Sequence, residues 1–231
     1  MKRALEASFE ELSGTVPATI GVAIAATGSA VSFGTWSTGV AWSTIKVPLA
    51  IATLRAGVGS RELVAKAITK SDNAAAEELW LHLGDPAEAA RQVRAIIVDA
   101  GDTTTTVESR RLRPGYTAFG QTQWPLTRQA QFAARLPGIP DASSIVDLMS
   151  NLRPDHRWGL AAKGFAAKGG WGPGTAGDYL VRQFAIVPTE AGHVGVAVAA
   201  QAHGGLFETG VDVVNKLADW LVDHLAELAH D

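Results

Sequence analysis

Cysteine is absent from the 231 residues, and its absence excludes several kinds of chemistry. A chain without thiols has no disulfides, no thiolate metal site and no cysteine nucleophile. Its six histidines are scattered, and no two of them have the helical spacing of a metal-binding motif. We therefore predict neither a metal nor another cofactor, and the redox compartment stays open.

Charge is sparse as well. The 20 basic and 23 acidic residues leave a formal net charge of -3, and Lys and Arg form no cluster. Nucleic acid is therefore not an expected partner. No apolar run is long enough to span a bilayer, and the basic start, Met1 to Glu6, indicates an amphipathic helix and not a signal peptide. We expect a cytoplasmic protein, or one from which a leader has been removed.

Apolar periodicity predicts an α+β fold. A helix and two strands come first, an all-helical stretch follows, and three strands and a helix close the chain. This order predicts one domain, 1–231, with a five-stranded antiparallel sheet flanked by terminal helices. The α/β lobe covers about 1–57 and 157–231, and a reduced helical lobe covers about 58–156. The main predicted elements are helices at 2–13, 42–57, 73–83, 86–98 and 206–228, and strands at 18–26, 30–36, 159–170, 178–188 and 192–202.

The segment 43–46 reads Ser-Thr-Ile-Lys and opens a predicted helix. Residues three apart share a helix face, so the Ser43 hydroxyl and the Lys46 amine are expected to be neighbours. A partly desolvated lysine with a lowered pKa is a base able to activate a serine. The alternative is a helix-capping serine followed by an exposed lysine, and this short pattern by itself favours the alternative.

A second polar group, Ser71-Asp72-Asn73, lies immediately before a strong helical pattern. Any of the three side chains is suited to cap that helix. The functional interpretation gives the Ser71 hydroxyl a proton-relay role. The Asn73 amide then binds substrate or holds Lys46.

The third group, Lys168-Gly169-Gly170-Trp171, falls on a predicted strand. Two glycines let another backbone approach closely, and the Trp171 N–H is a candidate second oxyanion donor. The alternative is an edge strand that ends in a turn. The segment Lys163-Gly164-Phe165 is a rival for this motif, although it lacks the second glycine.

The three groups occur in the order, and on the elements, of the β-lactamase and penicillin-binding-protein superfamily, which the chain resembles from about residue 19 to 228. The resemblance implies that Ser43 is acylated, that Lys46, Ser71 and Lys168 are catalytic, and that Asn73 and residues 169–171 bind substrate. It also implies an extracytoplasmic location if a leader was removed.

Three departures from the family pattern affect the expected chemistry. Ser43 and Ser71 are only 28 positions apart, which indicates a smaller helical lobe. The Lys-Thr-Gly hydroxyl that helps bind a substrate carboxylate is missing, so the Lys168 charge and Arg182 are the candidates for that contact.

The third departure concerns deacylation. The Glu-x-x-Leu-Asn signature of the class A deacylation base is absent, and Glu108 is the carboxylate in the right neighbourhood. The alternative for Glu108 is a surface ion pair with Arg110 or Arg111. In the same loop, the candidates for lining the cleft are Tyr116, Gln121 and Trp124.

These features predict acylation of Ser43 followed by slow turnover, with a small peptide or β-lactam-like compound as the substrate. The first hypothesis is an enzyme acting on peptides that resemble acyl-D-Ala-D-Ala. The second is a β-lactamase, and the third is a binding or scaffolding relative that has lost catalysis. The sequence leaves the oligomeric state open.

Overall fold

The computed structural model describes residues 2–26 and 29–228. Its elements alternate much as the apolar pattern predicts. The helices are α1 (Lys2–Gly14), α2 (Lys46–Arg55), α3 (Arg61–Thr69), α4 (Asn73–His82), α5 (Pro86–Asp99), α6 (Leu126–Arg135), α7 (Ser143–Ser150), α8 (Phe207–Asp223) and α9 (Leu225–Leu228). The strands are β1 (Ala18–Ala25), β2 (Ala30–Gly34), β3 (Thr38–Val40), β4 (Gln123–Pro125), β5 (Ala166–Pro173), β6 (Tyr179–Thr189) and β7 (Gly192–Ala202).

The main sheet has five strands in the order β2-β1-β7-β6-β5, and every neighbouring pair is antiparallel. Helices α1 and α8 pack on one face, and α6 packs on the other. Each face of the sheet has its own hydrophobic core. Along β6, Val181 and Ala185 point into the core under α1 and α8, and Phe184 points into the core under α6. Because both faces are covered, the central strands are almost continuously apolar. The predicted α+β architecture is confirmed.

Two helices of the middle section begin at aspartate caps. The Asp72 carboxylate accepts a hydrogen bond from the Ala75 N–H at 2.8 Å. The Asp85 carboxylate accepts from the N–H groups of residues 87 and 88, with Pro86 in the first turn of α5. These bonds satisfy amide donors that a helix start leaves free. Asp72 is therefore the cap among the three candidates at 71–73.

The prediction of one strand over 159–170 is wrong in its first half. Gly159–Lys163 forms a 3-10 turn, and β5 begins only at Ala166. The turn ends at Gly164, whose φ of +84° reverses the chain in a conformation that glycine adopts without strain.

The two-stranded sheet of β3 and β4 was not predicted, because three-residue strands are too short to show a period. Within the described ranges, no helix is long and apolar enough to cross a membrane.

Candidate active site

Ser43 lies in a 3-10 turn, Trp42–Ile45, that leads directly into α2. In a 3-10 turn, side chains three apart eclipse, which places Ser43 and Lys46 on one side. Trp42 has a φ of +50°, a left-handed conformation that is strained for a residue with a side chain. Ser43 is half-buried, and its hydroxyl makes no hydrogen bond to any residue that the structure describes. The hydroxyl is therefore available to a reacting group.

Lys46 is buried, with only 1% of its surface exposed. Its Nζ donates to the Ser71 carbonyl at 2.5 Å and to Asn73 Oδ1 at 2.7 Å. Burial lowers the pKa of Lys46 to about 7, and the charge of Asp72 opposes part of that shift. A neutral amine, able to accept a proton, is therefore accessible near neutral pH. The alternative of an exposed helical lysine is wrong.

The Ser71 hydroxyl lies between two amines. Lys168 Nζ donates to it at 2.9 Å, and Lys46 Nζ lies 3.5 Å away. Lys168 is also buried, and burial together with the nearby Lys46 charge holds its pKa well below the usual value. Ser71 itself has a φ of +53°, a second strained position beside Lys46 and Lys168. The arrangement provides a path for a proton between two lysines through one hydroxyl.

Lys168 differs from the expectation in one respect. Its amine donates to Gly169 O at 3.0 Å as well as to Ser71, and the side chain is 2% exposed. The predicted positive charge for a substrate carboxylate is therefore not offered to solvent. Its amine contacts the Ser71 hydroxyl instead.

Because Gly170 has no side chain, β5 lies directly against the Ser43 turn. A Cβ atom at position 170 would lie 2.7 Å from Ala41 O and 2.9 Å from Ser43 N, both closer than real contacts allow. A Cβ atom at Gly169 would lie 2.7 Å from the Trp158 ring. The pair of glycines is therefore required by close approach on both sides of the strand.

Gly170→Ala is expected to lower the free energy of unfolding by about 1–3 kcal/mol, because the added methyl group overpacks the Ser43 turn. Urea denaturation measures the change. Gly138→Ala is the matched control, since a Cβ atom there meets nothing within 4 Å. Equal stability of the two variants would contradict the close approach.

Trp171 follows the glycines and is half-buried at the edge of the sheet. Its ring meets His156 edge-on at a centroid distance of 5.2 Å. Burial and the Lys168 charge lower the pKa of His156, which favours a neutral imidazole. Nothing in the local sequence pattern around His156 indicates that residues 156 and 168 are neighbours in space. The oxyanion role of the Trp171 N–H remains a prediction.

Glu108 is occupied by its own loop. Its Oε1 accepts from the N–H groups of Ser109 and Arg110 at 3.0 and 2.8 Å, and from Arg110 Nε at 3.1 Å. These contacts lower the pKa of Glu108, with the Arg110 side chain as the main cause. The expected ion pair with Arg110 is present. The structure gives no support to Glu108 as a deacylation base.

Arg182 lies in the core, and the suggestion that it binds a substrate carboxylate is wrong. It is fully buried, and its two terminal nitrogens donate to the carbonyl groups of Gly39, Val40 and Trp124. Arg182 pairs with Gly170 on the neighbouring strand. Because glycine has no side chain, the Arg182 side chain has room on that face of the sheet. Trp124 is also fully buried and does not line the cleft.

A cavity of about 390 Å³ opens beside the Ser43 turn. Trp42, Arg113 and Gln121 lie along its wall, and Tyr116 packs edge-on against Trp42 at 5.2 Å. The Arg113 guanidinium lies 4.6 Å from the Tyr116 ring centroid and donates to Pro173 O at 2.7 Å. No pattern in the sequence singles out Arg113, because an arginine in an irregular loop carries no periodic signal. No cluster of three or more acidic or histidine side chains suited to a metal occurs in residues 2–26 and 29–228.

Comparisons identify the architecture. No protein-family model and no curated protein matches the chain. Among solved structures, it is similar to the TLA-3 extended-spectrum β-lactamase, with a TM-score of 0.78 at 14% identity over 97% of this chain and 99% of that one. A class A β-lactamase from Bacteroides cellulosilyticus DSM 14838 gives a TM-score of 0.76 at 15% identity, with coverages of 97% and 98%. A variant of an ancestral Gram-negative class A β-lactamase gives 0.72 at 21% identity, with coverages of 99% and 100%. The chain therefore has the class A β-lactamase fold.

Proposed function

We propose that this protein is a serine hydrolase that forms an acyl-enzyme on Ser43. The observation that carries the proposal is the convergence of three distant segments. Lys46 and Lys168 both approach the Ser71 hydroxyl, and Gly170 lies against the amide of Ser43. Perturbed pKa values and strained backbone in one cleft are typical of functional sites.

In the proposed acylation, the neutral Lys46 amine removes the hydroxyl proton as the Ser43 oxygen bonds to the acyl carbon. The tetrahedral oxyanion is stabilised by the Ser43 N–H and by the Trp171 N–H. The bond to the leaving nitrogen then breaks, and the nitrogen receives a proton from Ser71. Ser71 recovers its proton from Lys46 or Lys168, since both amines lie beside its oxygen.

The proposed substrates are acyl-D-Ala-D-Ala-like peptides, and the acyl-enzyme deacylates slowly. The engagement of Glu108 by Arg110 supports slow deacylation, because that carboxylate is not free to activate water. Arg113 is the proposed contact for the substrate carboxylate. It is a half-buried guanidinium on the wall of the cavity next to Trp42.

A β-lactamase is the second candidate, and the similar solved structures favour it, since their names describe β-lactamases. The two candidates differ in turnover. Nitrocefin added in excess is expected to give a burst of about one equivalent followed by a slow phase if deacylation is limiting. Linear hydrolysis over many equivalents would establish the β-lactamase instead.

Incubation with a fluorescent penicillin tests the proposal directly. We expect a single covalent adduct by intact mass and its localisation, after digestion, to the peptide that contains Ser43. An acyl-D-Ala-D-Ala peptide supplied in excess is expected to slow labelling. Prolonged incubation with no adduct, or an adduct on another residue, would refute the proposed nucleophile.

Acylation is expected to depend on pH through Lys46. The pKa of about 7 means that the amine becomes neutral, and therefore basic, as the pH rises past that value. The rate of penicillin labelling should rise about tenfold per pH unit below pH 7 and level off above it. Melting temperatures over the same range control for unfolding. A rate that does not change between pH 5 and pH 9 would exclude Lys46 as the titrating base.

A further inference from the structure

Arg182 carries a positive charge into the interior without a carboxylate partner. Its side chain is fully buried, and no acidic residue among those that the structure describes forms an ion pair with it. Burying a charge without a counter-charge is costly. Four hydrogen bonds and the Trp36 ring, whose centroid lies 5.0 Å from the guanidinium carbon, offset part of that cost. A hydrophobic side chain would fill this position with a smaller desolvation cost, so the presence of a guanidinium here needs a reason other than packing.

A chain of buried hydrogen bonds connects Arg182 to the Ser43 turn. Arg182 donates from one terminal nitrogen to Gln129 Oε1 at 3.0 Å, and Gln129 Nε2 donates to Thr44 Oγ1 at 2.9 Å. Thr44 Oγ1 then donates to Ala41 O at 2.5 Å. Arg182, Gln129 and Thr44 are all fully buried, so no solvent competes for these bonds. The last bond closes the turn that holds Trp42 and Ser43.

The direction of these bonds is imposed by the guanidinium. Arginine has donors only, so the carbonyl oxygen of the Gln129 amide must face Arg182. The amide nitrogen is then left to donate to Thr44 Oγ1, and the Thr44 hydroxyl donates in turn to Ala41 O. Arg182 also binds the carbonyl groups of Gly39 and Val40, immediately before the turn. One guanidinium therefore restrains the chain on both sides of the strained residue Trp42.

We propose that Arg182, acting through Gln129 and Thr44, is a positioning residue that holds the Ser43 turn in its strained, reactive geometry. The strained φ of Trp42 persists only where surrounding contacts hold it, and this network supplies them. The inference rests on the proposed role of Ser43 as nucleophile. None of the three residues touches the reacting atoms, so their effect is on orientation and not on chemistry.

Thr44→Val and Gln129→Glu test the network without removing the buried guanidinium. Valine keeps the shape of threonine and loses the hydroxyl. Glutamate still accepts from Arg182 but has no N–H to donate, so the hydrogen bond from residue 129 to Thr44 Oγ1 is lost. Each variant is expected to label with fluorescent penicillin about 10- to 100-fold more slowly, through the acylation step and not through binding. Thr44→Ser, which keeps the hydroxyl, should restore a rate close to that of the unchanged protein.

Hydrogen exchange of the peptide covering 40–46 gives a readout independent of catalysis. Exchange is expected to accelerate in Thr44→Val and to stay slow in Thr44→Ser, with near-UV circular dichroism confirming that both are folded. Unchanged labelling and unchanged exchange in folded Thr44→Val and Gln129→Glu would overturn the inference. If the unchanged protein is never acylated yet exchange still accelerates only in Thr44→Val, the proposed function fails and the positioning network stands.

Discussion

Ser43→Ala is expected to abolish the penicillin adduct and to lower any hydrolysis by about 10³-fold or more. Loss of the nucleophile removes the covalent route, and what remains comes only from binding and oxyanion stabilisation. Ser71 is not a substitute, because its hydroxyl is held between the Lys46 and Lys168 amines. Intact mass after incubation with penicillin measures the adduct, and excess nitrocefin measures residual hydrolysis.

Ser144→Ala is the matched control for that experiment. Ser144 is an exposed serine of α7 and makes no hydrogen bond through its side chain to a described residue. This variant should label like the unchanged protein. Persistent labelling of Ser43→Ala at the original rate would show that another group carries the adduct.

Lys46→Met is expected to slow acylation by about 10²- to 10⁴-fold, the usual contribution of a positioned general base. Methionine fills a similar volume but has no nitrogen to accept the hydroxyl proton. The acceptors on Ser71 and Asn73 lose their donor, so the fold is checked by near-UV circular dichroism. The residual rate should also lose its rise near pH 7, because the group that titrates there is gone.

Lys216→Met controls for the loss of a lysine. Lys216 is exposed on α8, which packs on the opposite face of the sheet from α6. The Lys216→Met protein should therefore be labelled with the original rate and pH profile. Folded Lys46→Met with an unchanged acylation rate would assign the base to another group, and Lys168 would be the next candidate because it also contacts Ser71.

Local pattern predicted the fold well. The apolar periods of α1, α5 and β7 and the aspartate cap of α5 are properties of neighbouring residues, and these elements appear close to their predicted limits. The 3-10 turn at Gly159–Lys163 and the short strands β3 and β4 were missed. Their conformations depend on contacts with distant segments, which no local window contains.

The candidate site likewise has features that the sequence predicts and features that depend on distant contacts. The three motifs were evident from residue type and order, including both lysines and the pair of glycines. Whether each lysine is buried was not evident, since burial is set by what packs over a side chain. The sequence therefore favoured an exposed Lys46 from its motif alone and a charged, substrate-facing Lys168, and the structure buries both.

By itself, the sequence determined the order of elements, the three polar motifs and the lack of thiol chemistry. Tertiary structure alone decided that Lys46 and Lys168 meet at Ser71, and that Arg182 is buried with its guanidinium bonded to the carbonyl groups of Gly39 and Val40. The physical reason is that hydrogen-bonding direction, desolvation and pKa depend on neighbours in space. Folding brings such neighbours together from distant positions: Lys46 and Lys168 lie 25 and 97 positions from Ser71 in the chain.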